Sequence, residues 1–129
     1  MKTDKETSQW WISLYNSLFI LTSPQEKLKE LENEIFEIMD ELEANLDNGI
    51  NSDSIHFYLE KSWINYDQSE KLIKFKAHLD KFLPEEWDFD LMFHAEDWKL
   101  VRSWAKQIFR DLGFRDDGWN GYGENLIIL

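Results

Sequence analysis

Carboxylates at helical spacing are the first residues in this chain that could do chemistry. Glu34 and Glu37, followed by Asp40 and Glu41, fall three and four apart, so one helix would line them up where a hard cation such as magnesium is held. His94 has Asp90 four residues before it and Asp97 three after, a spacing that would put three ligands on one helical face. A lone histidine among acids, without the His-Glu-x-x-His arrangement, more often caps a helix or pairs with a carboxylate than binds metal. The other histidines are His56 and His78. The chain has no cysteine, which excludes a thiol nucleophile, a disulfide scaffold and thiolate-bound zinc or iron–sulfur. It also has no Gly-x-Ser-x-Gly, no phosphate-cradling glycine loop and no dinucleotide fingerprint. Gly118, Gly121 and Gly123 precede no helix and read as turns. The expectation is a binding protein rather than an enzyme, with no catalytic residues, no cofactor and no metal.

The elements that must position these side chains are helical. Trp10 to Leu21 is the longest apolar stretch. It falls short of the 20 or so apolar residues of a membrane span, and Asp4 and Glu6 offset Lys2 and Lys5 ahead of it, with no small-residue cleavage pattern behind. It reads as a buried first helix of a cytoplasmic protein. Ser23-Pro24-Gln25-Glu26 forms a capping-box pattern. After it Leu28, Leu31, Ile35, Ile38 and Leu42 alternate steps of three and four, widened by Met39 and Leu46, and Asn48-Gly49 closes the pattern. This predicts one long second helix over 24–47. Its apolar repeat covers about two and a half heptads, so a monomer or weak homodimer is expected.

Asn51 to Ser54 offers N-caps for a third helix carrying Ile55, Leu59 and Trp63, and Asp67 caps a fourth with Leu72, Phe75, Leu79 and Phe82 inward, stopped by Pro84. A last long helix shows Trp98, Val101, Ala105, Ile108 and Leu112 on one face, with Arg102, Lys106 and Arg110 exposed elsewhere and Gly113 as C-cap. The tail from Phe114 is glycine- and aromatic-rich and ends in Leu126-Ile127-Ile128-Leu129. That run is apolar enough to dock on the helices as a short strand or to cover a partner. The fold class is therefore all-α, one domain over 1–129 with about five helices.

Charge is distributed unevenly. The 129 residues carry a net −12, and the whole excess lies on two short segments. Residues 24–47 hold nine acids against two lysines, and residues 85–97 hold six acids and no base. On the second helix Glu30, Glu34, Glu37 and Glu41 form a stripe beside the apolar face. Like charges at that spacing cost an isolated helix a few tenths of a kcal/mol per pair, so the stripe reads either as a solvated face or as a docking surface. The second segment alternates acids with aromatics: Glu85, Glu86, Trp87, Asp88, Phe89 and Asp90, then Glu96 and Asp97. Aromatic anchors ringed by charge suit an interface. The competing explanation is a connector whose aromatics enter the core and whose acids complement helix N-termini. A pI near 4.6 argues against direct binding to nucleic acid and for basic partners.

Two resemblances bear on function. All-α nucleotide pyrophosphohydrolases of the MazG type hold magnesium with a Glu-x-x-Glu pair and a later Glu-x-x-Asp pair on facing helices. Here Glu37-x-x-Asp40 overlaps Glu34-x-x-Glu37 on the same helix, and the facing segment at Glu60 fails the pattern. In overall character the acidic, cysteine-free, aromatic-rich chain is similar to immunity proteins of bacterial polymorphic-toxin systems, including those of contact-dependent growth inhibition. The similarity rests on the segments 24–47 and 85–97 and on Trp119-Asn120-Gly121-Tyr122-Gly123, with no shared motif. It implies a cytoplasmic protein that binds and occludes a cognate toxin, a basic nuclease domain. Contacts would come from Glu85, Glu86, Trp87, Asp88, Asp90, Glu96, Asp97, Trp119 and Tyr122, with Glu30, Glu34, Glu37 and Glu41 as a second acidic surface. A DNA mimic that inhibits a DNA-binding protein is the alternative, and a metal-dependent hydrolase a third.

Overall fold

The first helix dictates the architecture because it has no polar face to show to water. In a computed structural model, which describes residues 8–32 and 37–115, α1 spans Gln9–Thr22, and all eleven residues from Trp11 to Leu21 are buried. Ser8 caps it by accepting from the Trp11 amide. Seven α-helices and one 3-10 turn make up the described residues, which contain no strand: α1, α2 (Gln25–Leu31), α3 (Ile38–Gly49), α4 (Ser52–Glu60), α5 (Tyr66–Leu79), the turn Pro84–Glu86, α6 (Phe89–His94) and α7 (Glu96–Asp111). The all-α expectation holds. Helix α1 lies chiefly against α3 and α7; α7 in turn packs on α5 and α6, and α4 meets α5. All of them feed one hydrophobic core.

The long second helix does not form as one piece. Glu32 and Glu37 both adopt extended backbone, so α2 and α3 are separate helices, and the Glu32 carboxylate accepts from the Ile38 amide at the start of α3. Ser23 is not the N-cap of α2. It closes α1 instead, its hydroxyl donating to the Phe19 carbonyl at 2.6 Å, and Pro24 takes the N-cap position without a side-chain bond. The apolar stripe is nevertheless core: Leu28, Ile38, Met39, Leu42 and Leu46 are buried.

Gly49 acts differently from a left-handed cap. It is the last residue of α3, and a Cβ there would lie 2.5 Å from the Leu14 amide nitrogen and 2.8 Å from the Leu14 Cα. The two helices meet backbone to backbone at this point. The Gly49 carbonyl accepts from the Tyr58 hydroxyl at 2.7 Å and from Ser54 Oγ at 3.0 Å, and Asn48 donates to Ser13 Oγ at 2.7 Å. Burial pushes the Tyr58 phenol well above its ordinary range, so it stays a donor.

The remaining helices follow local signals. Asn51 and Ser54 form the capping box of α4. That helix ends at Glu60, and the positive φ of Ser62 turns the chain so that Trp63 packs edge-on against Trp11 and Phe57; Trp63 is not a residue of the helix itself. Asn65 and Gln68 cap α5 two residues before the expected Asp67. Asp88 caps the unanticipated α6. Gly113, at φ 77°, closes α7 as expected. Arg102 departs from expectation. It is half-buried, stacked over Phe93 at 4.3 Å and donating to the Ser23 carbonyl, and burial lowers the pKa of its guanidinium. The tail with its expected strand lies outside the described residues.

The two glycines separate two effects. Gly49→Ala forces α1 and α3 apart and should cost about 1–3 kcal/mol. Gly113→Ala meets open space and should cost only the conformational penalty, about 1 kcal/mol. Urea unfolding measures both, and equal shifts in midpoint would refute the close-approach role of Gly49.

Candidate partner-binding groove

The structure distributes the expected contact residues between architecture and surface. Of the first acidic set, Glu30 is exposed on α2, Glu37 precedes α3 in extended backbone, and Glu41 is half-buried on α3 beside the Asn45 amide. Because Glu32 and Glu37 are extended, Glu30, Glu37 and Glu41 do not form a stripe on one helix. Glu34 lies outside the described residues, as do Trp119 and Tyr122 of the second set.

Within 85–97 several acids have structural work. Glu86 Oε1 accepts from the Leu83 amide at 2.8 Å, and the Glu86 carbonyl accepts from Trp98 Nε1 at 2.8 Å. Asp88 accepts from the Leu91 amide. Glu96 and Asp97 occupy the first turn of α7, where carboxylates complement the helix dipole, and Glu96 also lies 3.6 Å from Lys99. Trp87 and Phe89 are half-buried against the core, Trp87 edge-on to Trp98 at 5.3 Å. Glu85, Asp90 and Asp97 stay exposed.

The metal arrangements do not assemble. Ala95, in extended backbone, separates α6 from α7, so Asp90, His94 and Asp97 do not share a helical face. His94 Nδ1 sits 2.8 Å from the Asp90 carbonyl instead. Among the described residues no three His, Asp or Glu side chains converge on a point that could hold a metal ion. Glu37 and Asp40 do meet: the Asp40 charge and a side-chain hydrogen bond between them raise the Glu37 pKa, so this pair favours a proton at Glu37.

The fold forms a groove of about 440 Å³ lined by acids of the first segment, by Asp80 and by Trp87 of the second segment. Asp40, Glu43 and Asp47 project from α3 at positions i, i+3 and i+7, one side of the helix. Asp80 follows α5 directly, and Phe82, Pro84 and Trp87 supply an apolar wall. Lys76 is the single cation among the lining residues. Its ammonium contacts Asp47 Oδ1 at 2.9 Å and Asp80 Oδ1 at 2.6 Å, with its side chain only 17% exposed. Desolvation pulls its pKa down, but hydrogen bonds to Asp80 and Asp47 and their charges outweigh that, and the net shift is upward. Lys76 thus clips α5 to the end of α3, while Asp40 and Glu43 have no ion pair among the described residues.

Such a groove can hold a cationic side chain between carboxylates and an aromatic edge. Sequence patterning placed Trp87 here but missed Asp40, Glu43, Asp47, Asp80 and Lys76 as one surface. The i, i+3, i+7 spacing on α3 was a visible signal, whereas the junction with Asp80 depends on tertiary packing.

The clip carries a pH signature. A lysine whose folded pKa is raised contributes stability that is complete below its unfolded pKa, about 10.4, and is lost as pH rises through the folded value. Lys76→Met should lower stability by about 1 kcal/mol near pH 7, and the difference from the parent should stay level to about pH 9 and shrink beyond pH 10. Urea midpoints from pH 6 to 11 test this; a difference undiminished at pH 11 would show that packing, not charge, sets it. Comparison with known proteins returns no relative: no family model, no curated protein sequence and no solved structure matches this chain.

Proposed function

We propose that this chain is an immunity-type binding protein that neutralises a cognate protein toxin, a basic nuclease domain, by covering the surface that holds its substrate. The observation that carries this reading is a groove in which Asp40, Glu43 and Asp47 of the first acidic segment and Asp80 face an aromatic wall that includes Trp87 of the second, in a chain of net −12. A nuclease holds phosphates with lysines and arginines, and a surface that offers carboxylates around an aromatic edge engages the same side chains. Charge of this kind mainly speeds association and selects the partner, while aromatic burial slows dissociation. The cytoplasm is the place where such a partner would be met. No described helix is long and apolar enough to cross a membrane.

The test is capture of partners from the host lysate on the tagged protein, at low and then high salt, followed by binding kinetics. One stoichiometric basic toxin domain that survives the salt wash supports the reading. Several DNA-binding proteins lost as salt rises would replace it with DNA mimicry. For the kinetics, Glu85→Lys with Asp90→Lys is the informative variant, because both side chains are exposed and neither caps a helix, unlike Asp88. The double reversal should slow association by about tenfold and flatten its salt dependence. Unchanged rates would remove the second acidic segment from the interface.

A further inference from the structure

A second groove, of about 650 Å³, runs between α4 and α5, and Ile50, Ile55, Leu59, Ile73 and Ala77 give it an apolar lining. Its α5 side stays apolar out to solvent: Ile73 is 53% exposed and Tyr66, seven residues earlier on the same face, is 71% exposed. Ala77, four residues after Ile73, is exposed as well, so the face runs the length of the helix. Contiguous exposed apolar surface of this kind marks a contact site. The charge around the face selects its partner. Residues 24–47 and 85–97 hold the acidic excess, whereas residues 48–84, which contain α4 and α5, carry five acids and five bases. A basic partner finds no net attraction here, and a copy of the chain can approach this side without the repulsion that the acidic segments impose. Glu70 and Lys74 lie together on one flank of the face. Both are exposed, and neither joins an ion pair among the described residues.

We propose that this face is the interface of an isologous homodimer, with α5 packed antiparallel on α5 of a second copy. A two-fold axis perpendicular to the helix makes the pairing antiparallel and brings like flanks together. At the level of Leu72 it sets each Glu70 opposite Lys74 of the second copy, because positions 70 and 74 are equidistant from 72. Both unpaired charges are then matched, and each match is made twice. The two Ile73 side chains meet beside the axis and leave water together. Tyr66 comes to the level of position 78, where the small Ala77 leaves room for its ring. The same surface is used on both copies, so the contact closes at two chains and does not propagate. The inference holds whatever the partner of the acidic groove is.

Sedimentation velocity on the full chain, over a hundredfold range of concentration at moderate salt, tests this. The weight-average mass should climb from one chain to two and stop there. Ile73→Asp should weaken association at least about tenfold. Its urea midpoint, taken where the parent is monomeric, should match the parent's, since Ile73 is largely exposed. Lys74→Glu should weaken association about tenfold through two like-charge contacts, and Glu70→Lys added to Lys74→Glu should restore the parent's affinity. A mass of one chain throughout, growth past two chains, a dimer indifferent to Ile73→Asp, or a charge swap that fails to restore association would each overturn the proposal.

Discussion

The structure depends on one constraint: a helix near the start of the chain that water does not touch. Eleven consecutive buried residues in α1 leave no face for solvent, so the other helices must surround it. The tightest of these contacts is with α3, where Gly49 lets two backbones meet. Close approach brings its own problem, because α1 carries polar groups. Ser17 donates to the Leu14 carbonyl and Ser13 accepts from Asn48, which meets the rule that buried polar groups find partners. Asn16 is the exception: neither polar atom of its side chain has a hydrogen-bond partner among the described residues. An internal helix that keeps such a group spends stability there, and the aromatic cluster of Trp11, Tyr15, Tyr58, Trp63 and Phe114 around its first turns supplies compensating packing.

Wrapping one buried helix also explains the groove. Helix α3 gives its apolar side to α1, so its remaining acidic side faces outward. Helix α5 belongs to the next layer, against α7 and α4. Where the end of α5 passes the end of α3, the facing side chains are polar, and Lys76 reaches across to Asp47 while holding Asp80. The connector through Pro84 and Trp87 then closes one side because the Trp98 indole ties the Glu86 carbonyl down. The acidic groove is thus a by-product of layer order, and its charge is a property of the residues chosen to line it.

Much of the fold was legible in the residues. The buried α1, the inward faces of α5 and α7 and the Gly113 cap follow from periodicity and turn chemistry. What escaped was local signal overridden by neighbours. Ser23 had the right sequence for an N-cap, but the end of α1 was nearer and took its hydroxyl. The 24–47 pattern had helical period throughout, yet a continuous rod would have carried Leu28 and Ile38 past the core that α2 and α3 now fill from two directions. Arg102 was placed outside by spacing and held inside by Phe93 and the Ser23 carbonyl. Each miss replaced a local rule with a tertiary contact. The groove shows the same limit at the functional level, since net charge per segment was readable but the pairing of Asp40 and Glu43 with Asp80 and Trp87 was not.

The charge excess itself separates into two kinds once each carboxylate is followed to its contact. Glu32, Glu86 and Asp88 satisfy helix-start amides, and Asp47 and Asp80 share Lys76. These acids are explained by architecture alone. Asp40, Glu43, Glu85 and Asp90 are not: they have no ion pair among the described residues, and Asp40 lies close enough to Glu37 to raise its pKa. Repulsion of this kind lowers the stability of the isolated chain, and alternating lysines would have relieved it without disturbing any packed contact. Solubility asks for net charge spread over the surface, whereas here Asp40 and Glu43 line one groove, and Glu85 and Asp90 lie within three residues of Trp87 in its wall. A cationic surface brought against that groove would remove the repulsion, so the same residues that weaken the free chain would strengthen a complex of that kind. This asymmetry between the free and bound states is the physical basis for reading the groove as an interface.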